Sequence, residues 1–419
     1  MNRRLSSRIS ALLLGVLLVV LSGTAMAAKG PSITVMVPPW GALPNSALQE
    51  FEKTTGIQVS MNIVGWDQIH DKVAIASVGR TAPADVIEVD WSWVGEFNAA
   101  GWFEPLNSRI SADMRRDMAG LATFTAGKTT IAIPYSNDLR IGIYNKAHFA
   151  KAGITTPPVT WDQFVKDCEK IQATGVTKYA FGLPLSASES TTTSYILITL
   201  SRSGDLFDKD GRLNRANALA TLKFLNDLVK VHKVVDPSMA TMVDTEVTQS
   251  FLAGKQTFEM YAPQDLALAQ DPAKSQIVGQ AGAMLIPGRA DQKTTTFGLL
   301  EGVGIPKYSN NKDAAWKFIQ WYTSPQIERL FHSTQGLLPP RLSVMKELIA
   351  AGKIVGGNTL LDQAAALRPV FPGGTPAWYP QFSTTTSSLI NQMIQGAVTP
   401  EQAVNGIEAK VNELRQAGK

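Results

Sequence analysis

At 419 residues the chain is longer than one hydrophobic core usually organises, which points to two domains. Its 39 Lys and Arg against 35 Asp and Glu give +4, but Arg3, Arg4 and Arg8 sit in an N-terminal leader without acids; removing them leaves about +1, so charge gives no reason to expect a nucleic acid or an anionic membrane as partner. A single cysteine, Cys168, excludes an internal disulfide and a cysteine-built metal site.

Residues 1–28 read as a signal peptide. The basic front is followed by the apolar run Ala11 to Leu21 and by Ala25-Met26-Ala27, a small-x-small cleavage pattern that places the cut before Ala28 or Lys29. The run is far short of the ~20 apolar residues that span a bilayer, so no stable membrane insertion is expected after cleavage. No cysteine stands at the cut, as a lipoprotein would need. The mature product is therefore expected free in the periplasm.

After the leader, Ile33 to Val37 predicts a strand stopped by Pro38-Pro39, and Ala47 to Lys53 a helix ended by Gly56. Ile57, Val59, Met61 and Ile63 alternate with polar residues, the period of a half-buried strand. Val86 to Val89 reads as a third strand. Strand, helix, strand, helix, strand is the order of an α/β layer with a largely parallel sheet, and such sheets collect ligands at their strands' carboxyl ends. Trp40 follows the first strand; Asp90, Trp91 and Trp93 follow the third.

Further along, Thr160-Trp161-Asp162-Gln163 is a capping box, and Trp161, Phe164, Val165, Cys168 and Ile171 then share one helical face. That puts Cys168 in a core rather than in a reaction. Ser324-Pro325 opens another helix. Thr399-Pro400-Glu401-Gln402 opens the last, whose buried stripe is Ala403, Val404, Ile407, Val411 and Leu414. Ser186 to Ser194 and Ser383 to Ser388 read as surface or site-lining segments.

Enzyme signatures are missing from the pattern. His70, His148, His232 and His332 are dispersed without metal-ligand spacing, so no metal and no cofactor is expected. Gly127-Lys128-Thr129 imitates the end of a phosphate loop, but Ala122 replaces the required glycine. There is no GxSxG elbow. Paired glycosidase carboxylates share no universal spacing, so a periplasmic carbohydrate hydrolase stays open as an alternative. What stands out is tryptophan in polar company, nine in all. An indole can cover the C–H face of a sugar while Asp, Glu, Asn or Arg take its hydroxyls. Trp161 and Trp316 fall in helical patterns and read as structural. For Trp40, Trp91, Trp93 and Trp378, composition leaves stacking and core roles both open.

Several segments together resemble the family-one extracellular solute-binding proteins, the group that includes maltose- and trehalose-binding proteins. Ala84-Asp85-Val86-Ile87, Trp91 and the stretch from Phe97 to Leu106 are similar to the family's segment after the third strand. Ile133-Pro134-Tyr135 through Lys146, with Ala152-Gly153-Ile154, resembles its crossover. Pro157 to Phe164, Ala314 to Arg341, and Trp378-Tyr379 before Thr399 resemble later segments in the family's order.

The resemblance implies a two-lobed α/β periplasmic-binding-protein fold, each lobe a mostly parallel sheet flanked by helices, with the ligand cleft between. Lobe one would take 29–144 and 302–344, lobe two 145–301 and 345–419. The implied function is binding, without catalysis, of a small carbohydrate or polyol by a monomer that delivers it to ABC permease subunits. A non-sugar solute on the same fold is the other alternative. Carried over by position, Asp90, Trp91 and Trp93 would form a hydroxyl-binding and stacking group. Asp138 and Glu189 would be acidic contacts, and Tyr261 and Trp378 stacking aromatics. Trp40 and Glu301 are added from the strand-end argument. Ser190 and Thr191 to Thr193 stand where an aromatic is common, and Tyr261 where tryptophan is. Fewer stacking surfaces imply a small ligand. Arg368 could meet an anionic group or serve a structural ion pair.

Overall fold

The computed structural model describes residues 30–291, 294–371 and 374–417; the expected signal peptide lies outside them. Two sheets organise the chain. The first has five strands in the order Gln58–Ile63, Ser32–Val37, Val86–Asp90, Glu301–Gly304, Ala132–Ser136. Helices cover both faces, and the alternation of side chains along a strand decides which. Val35 and its partner Val86 join one apolar cluster with Phe51 and Phe318, while Met36 and its partner Ile87 join another with Ile69 and Phe97.

The second sheet has the order Ala281–Met284, Ile141–Asn145, Phe258–Tyr261, Phe181–Gly182. The helix Trp161–Ala173 packs here with Cys168 fully buried, and so do the C-terminal helices Tyr379–Ile394 and Pro400–Ala417, through Tyr379, Phe382, Ala403 and Ile407. Thr160 accepts from the Gln163 backbone N–H at 3.2 Å, but Gln163 donates to Asp167 at 2.7 Å instead of reaching back, so that expected box is half formed. At Thr399 both halves are present, at 3.2 Å and 2.8 Å.

The expectation of a mostly parallel sheet in each lobe holds by strand direction, with one reversed strand in each: four of five strands in the first sheet and three of four in the second run the same way. In the first sheet, Glu301–Gly304 runs antiparallel to both neighbours; in the second, Ile141–Asn145 does the same. The reason for the reversals is connectivity. The chain crosses between the sheets three times, so Ile141 enters the second sheet from the cleft, while the strand ending at its partner Tyr261 runs toward the cleft. Glu301 likewise begins its strand at the cleft end, opposite Asp90 and Ser136.

The three crossings lie side by side. Leu139 bridges Gly298, Leu299 N–H donates to Asp138 O at 2.6 Å, and Asn137 N–H donates to Leu338 O at 3.0 Å. Strand membership shifts the expected lobe boundaries. Ile141–Asn145 belongs to the second sheet rather than to a first segment ending at 144, and Glu301 belongs to the first sheet. The helix Leu342–Ala350 packs Val344 and Met345 against Ile141 and Ile143, on the second lobe's side.

Candidate functional site

A cavity of about 970 Å³ lies where the two sheets and the crossings meet. From the first lobe it takes Trp40, Trp66, Asp90, Trp91, Ser136 and Glu301, all at the cleft ends of strands or just beyond them. Asp138 and Arg140 come from the first crossing, and the second lobe adds Glu189, Thr193, Asp244, Tyr261 and Asp265. The volume is at the upper end of what small-molecule sites usually show.

Asp90 is fixed by local geometry. Its carboxylate accepts from the Ser92 N–H at 2.8 Å, from the Ser92 hydroxyl, and from Trp66 Nε1 at 3.3 Å. Burial pushes Asp90 up to about 6, against these donors. Glu301, opposite Asp90, is pushed well above the usual carboxylate range by burial and by the charges of Asp138 and Asp90. Trp91 is 4% exposed; it is part of the cavity lining and its ring centre lies 4.9 Å from that of Tyr379.

Across the cleft, Glu189 accepts from the Tyr379 hydroxyl at 2.5 Å and from the Ser383 hydroxyl. Burial pushes it up to about 7, with those two donors opposing. Arg140 joins the crossing to the second lobe. Its guanidinium donates to Asp138 Oδ2 at 3.0 Å and lies 3.8 Å from the centre of the Tyr261 ring, whose hydroxyl donates to Asp244. Burial works against the Arg140 charge, but Asp138 and its neighbours outweigh it and keep the guanidinium protonated. Burial also pushes Asp265 up to about 8, with Asp138 adding to the effect.

The structure brings Trp40, Asp90, Trp91, Asp138, Glu189, Tyr261 and Glu301 into one cavity, and leaves Trp93 and Trp378 out of its lining. Trp93 is 3% exposed and packed between Trp66 at 4.8 Å and Phe97 at 5.7 Å, so it backs the indole that reaches the cleft. Trp378 caps the helix Tyr379–Ile394 and packs edge-on against Phe207 and Phe371 at 5.9 and 5.7 Å. Successive residues entering a helix diverge by roughly 100°. Tyr379 therefore turns toward Glu189 and Trp91, and Trp378 turns away.

Trp66, Arg140, Asp244 and Asp265 also line the cavity and are not among the residues expected from sequence. Trp66 carried a readable signal, since it follows the second strand just as Trp40 follows the first. The others come from helix starts and a crossing, where spacing alone carries no mark. Each histidine has a local partner: His70 with Glu96 at 2.8 Å, His148 with Thr257 at 2.9 Å, His232 with Glu169 at 2.9 Å, and His332 with the Leu337 carbonyl at 3.1 Å. Among the described residues no three His, Cys, Asp or Glu side chains are placed to hold a metal. Arg368 pairs with Asp205 at 2.8 Å, the structural of its two expected uses.

Two lobes with one polar, aromatic cavity walled by both define a solute-binding architecture. Residues 41–328 match the bacterial extracellular solute-binding proteins, and the chain belongs to that family. The fold is similar to that of maltose-bound MalE3 from T. maritima, with a TM-score of 0.81 at 23% identity over 92% of this chain and 100% of that one. It is also similar to a ribitol-bound ABC transporter solute-binding protein from Agrobacterium radiobacter K84, with a TM-score of 0.79 at 21% identity over 92% and 99% of the two chains. In sequence, a putative binding protein of Brucella abortus (strain 2308) is 24% identical over 418 residues, covering 97% of this chain and 98% of the relative. Among the described residues no helix is long and apolar enough to cross a membrane.

Proposed function

We propose that this protein captures a small carbohydrate or polyol in the periplasm and delivers it, as a monomer, to the permease subunits of an ABC importer, after removal of the leader 1–28. Lobe one would comprise 30–136 and 301–336, lobe two 141–284 and 342–417, with the crossings between them as the hinge. The observation that carries the reading is the division of the cavity: Trp40, Trp66 and Asp90 stand on one lobe, Glu189, Tyr261 and Asp265 on the other. Such a site is complete only when both walls meet the ligand, which couples binding to a hinge movement. Indole faces supply apolar contact for C–H groups, and carboxylates accept from hydroxyls. The ligands of the structural relatives support the class: maltose in one, ribitol in another.

The site works by binding, and the ligand leaves it unchanged. The test is a thermal-shift screen of the mature protein against sugars and polyols, followed by product analysis of any hit. A ligand at a hundred times its dissociation constant adds about 2.7 kcal/mol of stability. A hit recovered intact after long incubation is expected. Multiple turnover of that hit would instead establish the hydrolase alternative, and silence across the panel would remove the carbohydrate reading.

A further inference from the structure

The cleft is unbalanced in charge, and this deepens the solute-site reading on which it rests. Asp67, Asp90, Asp138, Glu189, Asp244, Asp265 and Glu301 all line the cavity, against Arg140 and Lys274. The buried cation is already committed, and the other is exposed and loosely paired. Arg140 is held by Asp138 and the Tyr261 ring, and Lys274 lies 3.8 Å from Asp271, outside the lining.

Asp138 is the point where the acids converge. Asp90 and Glu301 from the first lobe, and Asp244 and Asp265 from the second, are each near enough to interact with its charge or to feel it. One Asp138 oxygen takes the Arg140 bond; the other, Oδ1, is buried and accepts nothing. Asp265 is 3% exposed and accepts only from Thr248, at 3.3 Å.

Burial and crowding hold Asp265 and Glu301 above the usual carboxylate range, so these acids keep protons in the apo protein; the hydroxyls of a neutral ligand bond to them without changing that, whereas a cation favours their ionised forms. A primary ammonium brings three donors and a positive charge together. An organic cation answers both the acids and the apolar part of the same lining. The indoles of Trp40 and Trp66 in the same lining suit a hydroxylated carbon skeleton. We propose that the cleft selects an amine-bearing sugar or polyol, its protonated nitrogen seated against Asp138 among carboxylates from both lobes.

Matched pairs test this: glucamine against sorbitol, and D-glucosamine against D-glucose, titrated calorimetrically into the mature protein at neutral pH. The amine of a pair should bind tighter by about tenfold or more, the scale on which charge-assisted hydrogen bonds exceed neutral ones. N-acetylation should remove the preference, because it removes the charge. Asp138→Asn should bring the amine-to-neutral ratio to within about twofold of one, its folding checked by its melting curve. Asp265→Asn, which should lower the ratio in the same direction, serves if that variant does not fold. Neutral members binding as tightly as their amines would overturn the inference and leave the carbohydrate site standing. If neither these amines nor a broad panel of neutral sugars and polyols binds, both readings fall.

Discussion

Replacing Arg140 by Met isolates the part of the cleft that links the crossing to the second lobe. The side chain is 5% exposed, its guanidinium holds Asp138 at 3.0 Å, and it covers the Tyr261 ring at 3.8 Å. Methionine keeps most of the buried stem but leaves Asp138 charged, buried and surrounded by other acids. Removing one partner of a buried pair costs about 3–5 kcal/mol. The expected loss is of that size, read as a lower urea midpoint with an unchanged slope. Two further measurements bind the cause to Asp138. Burial raises the pKa of Asp138 while Arg140 lowers it, so loss of Arg140 raises it further and the penalty should shrink as pH falls through that value. Adding Asp138→Asn to Arg140→Met should recover at least half of the loss, a coupling that a double-mutant cycle reads directly. A double variant no more stable than Arg140→Met alone, or a penalty independent of pH, would refute the reasoning.

Trp378→Ala should lower apo stability by about 3 kcal/mol through the lost packing on Phe207 and Phe371, with ligand affinity unchanged in the folded protein; a selective loss of affinity in calorimetry would return Trp378 to the site. Trp66→Ala should weaken binding about tenfold, since a stacking face of on the order of 1–3 kcal/mol goes and Asp90 loses a donor; unchanged affinity would contradict it. Asp90 near 6, Glu189 near 7 and Asp265 near 8 lie above unfolded carboxylate values, so the folded apo protein holds more protons than the unfolded chain in that range. Its stability should therefore rise as pH falls from about 8 toward 5, and a melting temperature that drops over that window would sink the assignment.

Much of the secondary structure in both lobes was legible because its information is local. Period-two alternation gave the strand at Gln58–Ile63, and helix caps at Thr160, Ser324 and Thr399 placed helix starts that the structure bears out. The reversed strands were not legible. Nothing in Glu301-Gly302-Val303-Gly304 records that the chain arrives from the other lobe, and arrival from the cleft side is what makes the strand antiparallel. The crossing before Ile141 is silent in its spacing and was marked only by the family resemblance, since Asn137 to Arg140 differs from a surface loop only in what it later touches.

The candidate site divides along the same physical line. Trp40 and Asp90 were found because the carboxyl end of a strand is a place that sequence can mark. Trp378 lies outside the cavity lining because its neighbour Tyr379 takes the turn toward Glu189 and Trp91, and one step along a helix start rotates a side chain away from them. The cluster about Asp138 lies furthest from sequence. Its acids come from the end of one strand, the start of another, a crossing and two helix starts, so no window contains even three of them. Carboxylates brought together from so many segments repel, and a fold that keeps them buried with one captive arginine is less stable for it. On the proposal of an amine-bearing ligand, an ammonium that enters the cavity relieves this cost, and charge balance more than stacking surface would then discriminate among ligands that share a hydroxylated skeleton.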